Sequence, residues 1–283
     1  MIRPQPLALD DHRLQQLLAE DVPYGDLTTE ALAIDARPGQ IRLFARDPMV
    51  VCGIEEAARM FTLCGARATL HAASGQQAAP ETLLLEASAE AGILHRAWKS
   101  AQTLVEWCSG VASRAAEIQE AARRGHPEAL VALTRKNVPG TRPLAVKAAR
   151  AAGAVMHRSG LSETLLVFAE HRLFLDEDPT AALARLRRRC PEKRVVVEVE
   201  DVAEALVWAA ADVIQLEKFS PAAVAETVAA LAAAGSTALV AAAGGVNAAN
   251  AEDYARAGAR LLVTSAPHLA PPRDVQVRFA RGV

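Results

Sequence analysis

The sequence predicts an α/β protein whose C-terminal part is a β/α barrel of about six or seven parallel strands, preceded by an α/β sandwich domain. Two observations support this fold class. From about residue 125 onward, short apolar runs alternate with amphipathic stretches, which is the pattern of parallel strands joined by helices. In addition, charged residues and glycines follow these runs one after another, at the strand ends where barrels hold their ligands.

Each barrel element has its own sequence signal. The predicted strands are short apolar runs: Ala129–Thr134, Ala154–His157, Leu165–Phe168, Val195–Val199, Val213–Leu216, Ala238–Ala242 and Leu261–Thr264. The predicted helices lie between them: Pro143–Ala152, Pro179–Arg189, Val202–Ala210, Pro221–Ala234 and Ala249–Ala257. Asp178 and Ser220 each precede a first-turn proline, which predicts a helix start, and Gly235 predicts a helix stop.

The first 125 residues follow another pattern. Strands are predicted at Ile41–Arg46 and Ala68–Ala73, and helices at Ile54–Cys64 and over most of Gly92–Gly125. We therefore expect three parts: an N-terminal α/β domain with long helices over residues 1–125, a β/α barrel over residues 126–270, and a tail over residues 271–283 that packs back on the N-terminal domain.

Composition and charge argue against several classes of function. The net charge is −2, so no general basic field favours nucleic acid. The four cysteines lack the spacing of a zinc or redox motif and indicate reduced thiols in the cytoplasm. Thr227–Asn250 carries no charge over a membrane-like length, but Gly235-Ser236-Thr237 interrupts it. We interpret this segment as a buried helix followed by a buried strand, and we expect no membrane partner.

Cationic side chains follow the first two predicted barrel strands. Arg135 and Lys136 come directly after the first strand, and His157 and Arg158 end the second. Arginine holds a carboxylate or phosphate through two parallel hydrogen bonds, and lysine acts as a point charge. One such arginine alone is often an ordinary surface salt bridge. Their joint placement predicts a site for an anionic small molecule. His171, after the third strand, is a further candidate, and a structural role for it stays equally open.

Acidic residues and glycines follow the later strands. Glu198 and Glu217 end two successive strands and are candidate ligands of Mg²⁺ and of a ribose, because Mg²⁺ prefers oxygen ligands and often bridges carboxylate to phosphate. Pairing with neighbouring cations is the structural alternative. Gly244-Gly245 can present backbone N–H groups to a phosphate, and Ser265 follows the last strand.

With these motifs placed, the chain resembles the type II phosphoribosyltransferases, the family of quinolinate (nicotinate-nucleotide) phosphoribosyltransferase, over nearly its whole length. The resemblance is carried by Glu20–Thr29, Arg46 with Gly53, His95-Arg96, Ser109-Gly110-Val111-Ala112, Thr134-Arg135-Lys136 with Pro139-Gly140 and Arg142, His157-Arg158-Ser159-Gly160-Leu161, Glu198, Glu217 and Gly244-Gly245. The segments around Arg135 and Arg158 are the most specific of these.

The resemblance implies transfer of a phosphoribosyl group from phosphoribosyl pyrophosphate (PRPP) to a carboxylated N-heterocycle similar to quinolinate, with Mg²⁺ as cofactor and pyrophosphate as product. It implies catalytic roles for Lys136, Glu198 and Glu217, with the two glutamates as metal ligands. The substrate-binding residues it implies are Arg96, Arg135, His157, Arg158 and His171, and the phosphate-binding residues are Gly244, Gly245 and Ser265. It also implies a homodimer with shared active sites, in which Arg96 reaches the partner subunit's site.

One departure from the family concerns the acceptor. Where quinolinate enzymes carry a strand lysine followed by Asp-Asn-His, this chain has Phe168-Ala169-Glu170-His171, and Glu217-Lys218 replaces an Asp-Asn pair. These changes, together with Ser162-Glu163-Thr164 and Trp98-Lys99, are similar to the ModD branch, pyrophosphorylases associated with molybdate-transport operons. Because an apolar ring replaces a cation, we expect a less acidic acceptor than quinolinate, or one with a different ring.

Two other functions fit parts of the pattern. A Schiff-base aldolase needs a lysine inside a barrel strand. None of the lysines lies in a predicted strand: Lys99, Lys136, Lys147, Lys193 and Lys218. The second alternative is an anion- or nucleotide-binding protein, linked to molybdenum metabolism, that has lost catalysis. Loss of the family lysine favours this alternative, and retention of both glutamates favours the enzyme.

Overall fold

The computed structural model describes residues 3–282, which pack into two compact units. Unit 1 consists of the chain up to Arg114, the segment Val138–Gly153 and the chain from Pro267 onward. Unit 2 consists of Ala115–Asn137 and Ala154–Ala266.

The helices, in chain order, are α1 (Asp11–Asp21), α2 (Leu27–Ala31), α3 (Ile54–Leu63), α4 (Ala91–Gly125), α5 (Arg142–Ala151), α6 (Ala169–Arg172), α7 (Pro179–Arg189), α8 (Val202–Val207), α9 (Pro221–Ala233) and α10 (Ala251–Arg256). The strands are β1 (Pro38–Ala45), β2 (Met49–Val50), β3 (Arg67–Leu70), β4 (Gln77–Ala78), β5 (Leu83–Glu90), β6 (Leu130–Leu133), β7 (Val155–Met156), β8 (Leu165–Val167), β9 (Val195–Val199), β10 (Val213–Glu217), β11 (Leu239–Ala243), β12 (Leu261–Thr264) and β13 (Val275–Arg281). A short 3₁₀ helix covers Ala266–Leu269.

The boundary between the units differs from the boundary expected at residue 125. The long helix α4 continues across it, so the division falls inside the helix after Arg114. Gln119, in the later part of α4, donates to the Ala129 carbonyl at 2.8 Å and accepts from the Val131 amide at 2.9 Å, which ties this part to β6. Conversely, α5 belongs to unit 1, because Lys147 on α5 pairs with glutamates on α3.

Unit 1 is built on a four-stranded antiparallel sheet in the order β13-β1-β5-β3. Strand β1 lies between β13 and β5, with Leu43 opposite Val277 on one side and Leu85 on the other. Ile41, Leu43 and Leu85 are fully buried, so one face of the sheet forms part of the core. The C-terminal segment therefore packs in unit 1 as an edge strand.

Unit 2 is the β/α barrel that the sequence predicts. Its seven strands are parallel where they pair, in the order β7-β6-β12-β11-β10-β9-β8. The first strand, β6, pairs with the last, β12, from Leu130 opposite Leu261 to Leu133 opposite Thr264. Joining the first strand to the last is what makes a barrel rather than an open sheet. The two outer strands of this sheet are β7 and β8, which follow one another along the chain.

Apolar side chains fill the barrel below the strand ends. The buried cluster consists of Ala132, Leu166, Val196, Val213, Ala241, Ala243 and Val263. Phe168, Leu239 and Leu261 pack against it and are partly buried. Because side chains alternate along a strand, residues two positions beyond the cluster members share the same inward face. Glu198, Gln215 and Ser265 occupy such positions, so this cluster is the floor of the strand-end region.

The predicted helix signals are confirmed. The Asp178 side chain accepts from the Ala181 amide and the Ser220 side chain accepts from the Ala223 amide, each ahead of a first-turn proline. Gly235 follows α9 with φ of +73°, a left-handed conformation that ends the helix. The uncharged segment around it forms the end of α9 and then β11, and no helix among residues 3–282 is long and apolar enough to cross a membrane.

A buried ionic cluster holds α5 against α3 in unit 1. The Lys147 ammonium lies 2.9 Å from Glu55 Oε2 and 2.7 Å from Glu56 Oε2, and all three side chains are less than a tenth exposed. Burial alone would lower the pKa of Lys147, but the two glutamates outweigh it and hold the pKa above its usual value. Glu55 also accepts from the Gln5 amide and from Ser74, and Glu56 accepts from the Ala8 amide. The cluster therefore also holds the N-terminal segment.

Replacing Lys147 by methionine is expected to lower the free energy of unfolding by about 3–5 kcal/mol, because two carboxylates would stay buried without their cation. Denaturant-induced unfolding measures this loss. Arg42→Met is the matched control, since it removes an exposed ion pair with Glu86 and should cost less than about 1 kcal/mol. Equal losses in the two variants would contradict a stabilising role for the cluster.

Candidate active site

The carboxyl ends of the unit 2 strands bring together most of the predicted site residues. Thr134-Arg135-Lys136 follows β6, His157-Arg158 follows β7, and Phe168 follows β8. Glu198 lies in β9, Glu217 ends β10, Gly244-Gly245 follows β11 and Ser265 follows β12. Because the strands are parallel, these positions share one end of the barrel. The prediction that they lie on one rim agrees with this arrangement.

Arg158 is a buried cation without an anionic partner in its unit. The residue is only 8% exposed, and its guanidinium carbon lies 5.6 Å from the centre of the Phe168 ring. Burial, and then the neighbouring positive charge of Arg135, lower the pKa of Arg158. Among the described residues of unit 2 it forms no hydrogen bond or ion pair. Burying a charge is costly unless it is paired, so this arrangement favours an anionic ligand.

Arg135 and Lys136 extend this positive region toward solvent. Arg135 is half-buried and Lys136 is exposed. The Thr134 amide donates to the Thr264 carbonyl at 3.0 Å, which continues the β6–β12 pairing to the point where the chain turns. The Lys136 amide then donates to Thr134 Oγ1 at 3.3 Å. These backbone contacts fix the start of the loop, where the two cations lie.

His157 is held as a neutral imidazole. Its amide donates to the Leu133 carbonyl at 2.8 Å, which anchors the residue beside β6. Burial, assisted by the positive charge of Arg158 and opposed by Glu163, lowers the pKa of His157 from 6.5 to about 4. At neutral pH the ring therefore has one N–H donor and one acceptor nitrogen, and it can bind a substrate without adding charge.

Phe168 and His171 form one unit at the end of β8. The Phe168 amide donates to His171 Nδ1 at 3.0 Å, and the two rings lie nearly parallel with centres 5.7 Å apart. Because Nδ1 accepts this bond, the proton of a neutral His171 lies on Nε2, on the other side of the ring. His171 is exposed, so its Nε2–H is available to a ligand.

Glu198 and Glu217 form the acidic side of the rim. Gln215 Nε2 donates to Glu198 Oε2 at 2.5 Å. Burial raises the pKa of Glu198, the Gln215 hydrogen bond partly opposes this, and negative charges at Glu217, Glu170 and Glu200 raise it further.

Arg172 contacts Glu198 without pairing with its carboxylate. Arg172 donates instead to the Glu198 backbone carbonyl at 2.5 Å and pairs with Glu204 at 3.1 Å. The Glu198 carboxylate therefore stays available to a bound cation.

The loop after β11 fits closely against the end of β10. A Cβ atom on Gly244 would lie 2.6 Å from Lys218 Cγ and 2.7 Å from Lys218 N, so only glycine fits there. Lys218 has φ of +59° and its amide donates to the Ala243 carbonyl at 2.8 Å. A side chain on Gly245 would meet nothing within 4 Å, so this backbone is open to a ligand.

Four residues at this rim were not singled out by the sequence reasoning as site residues. Gln215 and Arg172 organise Glu198, and Lys218 adds a cation beside Gly244. Thr264 Oγ1 donates to the Val246 carbonyl at 2.6 Å and so ties the glycine loop to β12. A glutamine within the apolar run Val213–Leu216 was a usable signal; the other three carry none that separates them from ordinary loop residues.

Arg96 lies apart in sequence from the rim residues, on α4 in unit 1, where it is exposed. Next to it, the His95 ring stacks on Phe279 with centres 4.8 Å apart, and Trp98 meets both rings edge-on. This aromatic cluster packs α4 against β13 next to Arg96. Its action on a partner subunit stays a prediction.

Two family models match the chain. The model for the quinolinate phosphoribosyl transferase N-terminal domain matches residues 26–109, and the model for the C-terminal domain of the same family matches residues 111–278. Between them they cover most of the chain.

Individual relatives agree with these models. The chain is 50% identical over 255 residues to a protein of Rhodobacter capsulatus named as a ModD pyrophosphorylase, which covers 89% of this chain and 98% of that protein. It is 30% identical over 206 residues to the nicotinate-nucleotide pyrophosphorylase (carboxylating) of Homo sapiens, covering 72% of this chain and 69% of that protein.

Among solved structures, NadC from Streptococcus pyogenes is similar with a TM-score of 0.87 and 24% sequence identity, covering 96% of this chain and 97% of that chain. At this level of identity the likeness concerns the fold.

A neutral His157 is directly testable by NMR titration of the imidazole signals. We expect the signal that disappears in a His157→Asn variant to titrate with a midpoint of about 4. Because an unfolded histidine takes up its proton near pH 6.5, His157 should also lower folding stability as the pH falls from 6.5 toward 4. A midpoint near 6.5 in the folded protein would contradict the buried, cation-flanked position.

Proposed function

The chain belongs to the quinolinate phosphoribosyltransferase family, and from this we propose that it transfers the phosphoribosyl group of PRPP to a ring nitrogen of a carboxylated N-heterocycle. The bond between ribose C1 and the pyrophosphate oxygen breaks, its electron pair leaves with pyrophosphate, and the ring nitrogen forms the new bond to C1. The match to ModD relatives supports the ModD branch as the nearer model for the acceptor.

The observation that carries this proposal is the buried guanidinium of Arg158 beside Arg135, which has no anionic partner among the described residues of unit 2. An acceptor carboxylate placed between these two arginines would supply the missing negative charge through parallel hydrogen bonds. The exposed Nε2–H of His171 and the neutral ring of His157 lie on the neighbouring strand ends and offer further hydrogen bonds to such a ligand.

The phosphates of PRPP would lie toward Lys136 and the glycine loop. Lys136 is an exposed point charge at the first strand end, and Lys218 lies against Gly244 at the other side of the rim. The open backbone of Gly245 and the half-buried Ser265 offer hydrogen-bond donors to phosphate oxygens. We assign Lys136 to stabilising the negative charge that develops as pyrophosphate leaves.

The acidic side of the rim fits Mg²⁺ as cofactor. Burial, and then the neighbouring carboxylates, raise the pKa of Glu198, and carboxylate oxygens are ligands that Mg²⁺ prefers. Within residues 3–282, no group of three or more His, Cys, Asp or Glu side chains is placed to hold a metal unaided. Glu198 and Glu217 would therefore hold it jointly with phosphate oxygens of PRPP. When bound, the ion would neutralise charge on the departing pyrophosphate.

Glu198 and Glu217 also suit the ribose ring. As the bond to pyrophosphate breaks, the ring gains positive, oxocarbenium-like character, and carboxylates at the rim stabilise it electrostatically. Gln215 orients the Glu198 carboxylate through its 2.5 Å hydrogen bond.

We further propose that the enzyme is a cytoplasmic homodimer in which Arg96 completes the partner subunit's site. The exposed position of Arg96 on α4 supports this assignment. All four cysteines are free thiols, as a reducing compartment requires. A link to molybdenum metabolism remains part of the proposal through the ModD relatives.

The alternative, an anion-binding protein without catalysis, is favoured by the apolar Phe168 at the family's lysine position. Mg²⁺-dependent release of pyrophosphate from PRPP, measured with quinolinate, nicotinate and related ring acids, separates the two functions. PRPP binding without turnover of any acid would support the binding protein or an untried acceptor class. Failure to bind PRPP would contradict the proposed function.

In the same assay, Arg158→Gln is expected to weaken binding of the acceptor acid by about ten- to a hundredfold, because charge-assisted hydrogen bonds to its carboxylate are lost. Arg194→Gln is the control, since Arg194 is an exposed arginine at the opposite end of the barrel, before β9. An acceptor affinity unchanged by Arg158→Gln would exclude Arg158 from the carboxylate site.

Phe168→Lys is expected to raise quinolinate turnover by about tenfold, because a lysine would add a charge-assisted contact to the second carboxylate. Phe168→Leu serves as the control, since it removes the ring without adding charge. If turnover with quinolinate were the same in both variants and in the parent protein, residue 168 would not select the acceptor.

A further inference from the structure

Gln215 is a polar side chain at a position where the barrel floor is otherwise apolar. It lies in the middle of β10, on the same face as Val213, which belongs to the buried apolar cluster. Its neighbours across the two adjacent strands are Glu198 and Ala241. Only 3% of the residue is exposed. Its side chain therefore lies inside the barrel, directly beneath the strand-end rim.

Half of the Gln215 amide has no partner. Nε2 donates to Glu198 Oε2 at 2.5 Å, whereas Oε1 is fully buried and accepts no hydrogen bond from any residue between 3 and 282. Buried polar atoms are hydrogen-bonded in the great majority of cases, and an orphaned one calls for an explanation. The bond to Glu198 also sets the orientation of the amide, because a carboxylate accepts and must face the N–H₂ end. The carbonyl end therefore points away from Glu198.

The residues around Gln215 select the kind of partner. Ala241 lies opposite Gln215 and Ala243 two positions further along β11, and both carry only a methyl side chain. An ionised carboxylate only accepts hydrogen bonds, so a second carboxylate on the ligand cannot satisfy Oε1. A carbonyl oxygen accepts hydrogen bonds and donates none. The missing partner is therefore a neutral or positive donor group.

Phe168 is consistent with this selection. It follows β8 one residue beyond the pair Val167–Val197, which places it next to Glu198 across the strands. Its ring packs on the apolar cluster and offers a flat surface rather than a charge. On this side of the site a ligand thus meets an aromatic ring and a carbonyl acceptor, and on the other side it meets Arg135 and Arg158.

We propose that the acceptor of this enzyme is a heterocyclic monocarboxylate carrying an N–H donor, either a ring N–H or an exocyclic amine, that binds Gln215 Oε1. This rests on the proposed function, because it assumes that the ligand in the barrel mouth is the phosphoribosyl acceptor. The carboxylate is held by Arg135 and Arg158, the ring lies against Phe168, and the donor reaches the buried amide.

Calorimetric binding of a matched series of acids to the full protein tests the inference. The series is nicotinate, 2-aminonicotinate, 6-aminonicotinate and quinolinate, and each acid is titrated in the presence of Mg²⁺. Binding of PRPP to the same protein sample is measured beforehand. We expect at least one of the two aminonicotinates to bind about tenfold more tightly than nicotinate, as one hydrogen bond to a buried acceptor would give. Quinolinate should bind more weakly than that derivative. This comparison needs no variant.

Gln215→Met is the matched variant, because it keeps the side-chain length and removes the carbonyl. It should abolish the preference for the amino derivative over nicotinate, whatever the loss of the Glu198 hydrogen bond does to the affinity of both acids. Retention of PRPP binding and of the thermal unfolding midpoint shows that the variant is folded. If Gln215 only positioned Glu198, all four acids would lose affinity together and the preference would survive.

The outcomes separate this inference from the proposed function. PRPP binding with no preference for either amino derivative, or a preference that persists in Gln215→Met, would overturn the assignment of Gln215 and leave the phosphoribosyl transfer intact. Absence of PRPP binding would overturn the proposed function and this inference with it.

Discussion

The parallel pairing of β6 with β12 is the contact on which the candidate site depends. These strands lie at opposite ends of the unit 2 sequence, and their pairing turns a run of strand–helix units into a ring. In an open sheet the cations after β6 and the serine after β12 would lie on opposite edges. In the ring they become neighbours, and the Thr134 amide continues the pairing with Thr264 up to the rim.

The ring also separates charges of opposite sign. Cations follow β6 and β7, acids end β9 and β10, and Phe168 after β8 lies between the two groups. The guanidinium of Arg158 lies over the aromatic ring of Phe168 rather than beside a carboxylate. Arg172 pairs with Glu204 rather than with the Glu198 side chain. Phe168 therefore lies between the arginines and the glutamates of the rim. The arginines remain available to an anionic group of a ligand, and the glutamates remain available to a cation or to a group that becomes positive.

Many element bounds follow from local sequence patterns, and others depend on contacts that are remote in sequence. Strands β9 and β12 and helix α7 have the predicted bounds, because buried β-branched runs and a capped proline start are local signals. Helix α8 ends at Val207, three residues before the predicted end, and the Ala209 and Ala211 amides beyond it donate to carbonyls three residues back rather than four. Ser236 and Arg187, which are remote in sequence, donate to the Ala209 and Ala210 carbonyls and hold this turn.

The same distinction holds for the site. The rim residues could be predicted because each directly follows an apolar run. The hydrogen bond from Gln215 to Glu198 and the close fit of Lys218 against Gly244 depend on which strands are neighbours, which no local pattern reveals. Strands β5 and β13 were missed for a similar reason: β13 is a strand because β1 lies beside it.

That pairing between β1 and β13 has a consequence for biosynthesis. On the ribosome, β1 is made early, and the whole of unit 2 is made before β13 emerges. Throughout that interval β1 is an unpaired edge of a nascent sheet, with its hydrogen-bonding groups open to other chains. Translation that stops before Val275 would leave this edge permanently uncovered, and such products would be prone to aggregate or to recruit chaperones.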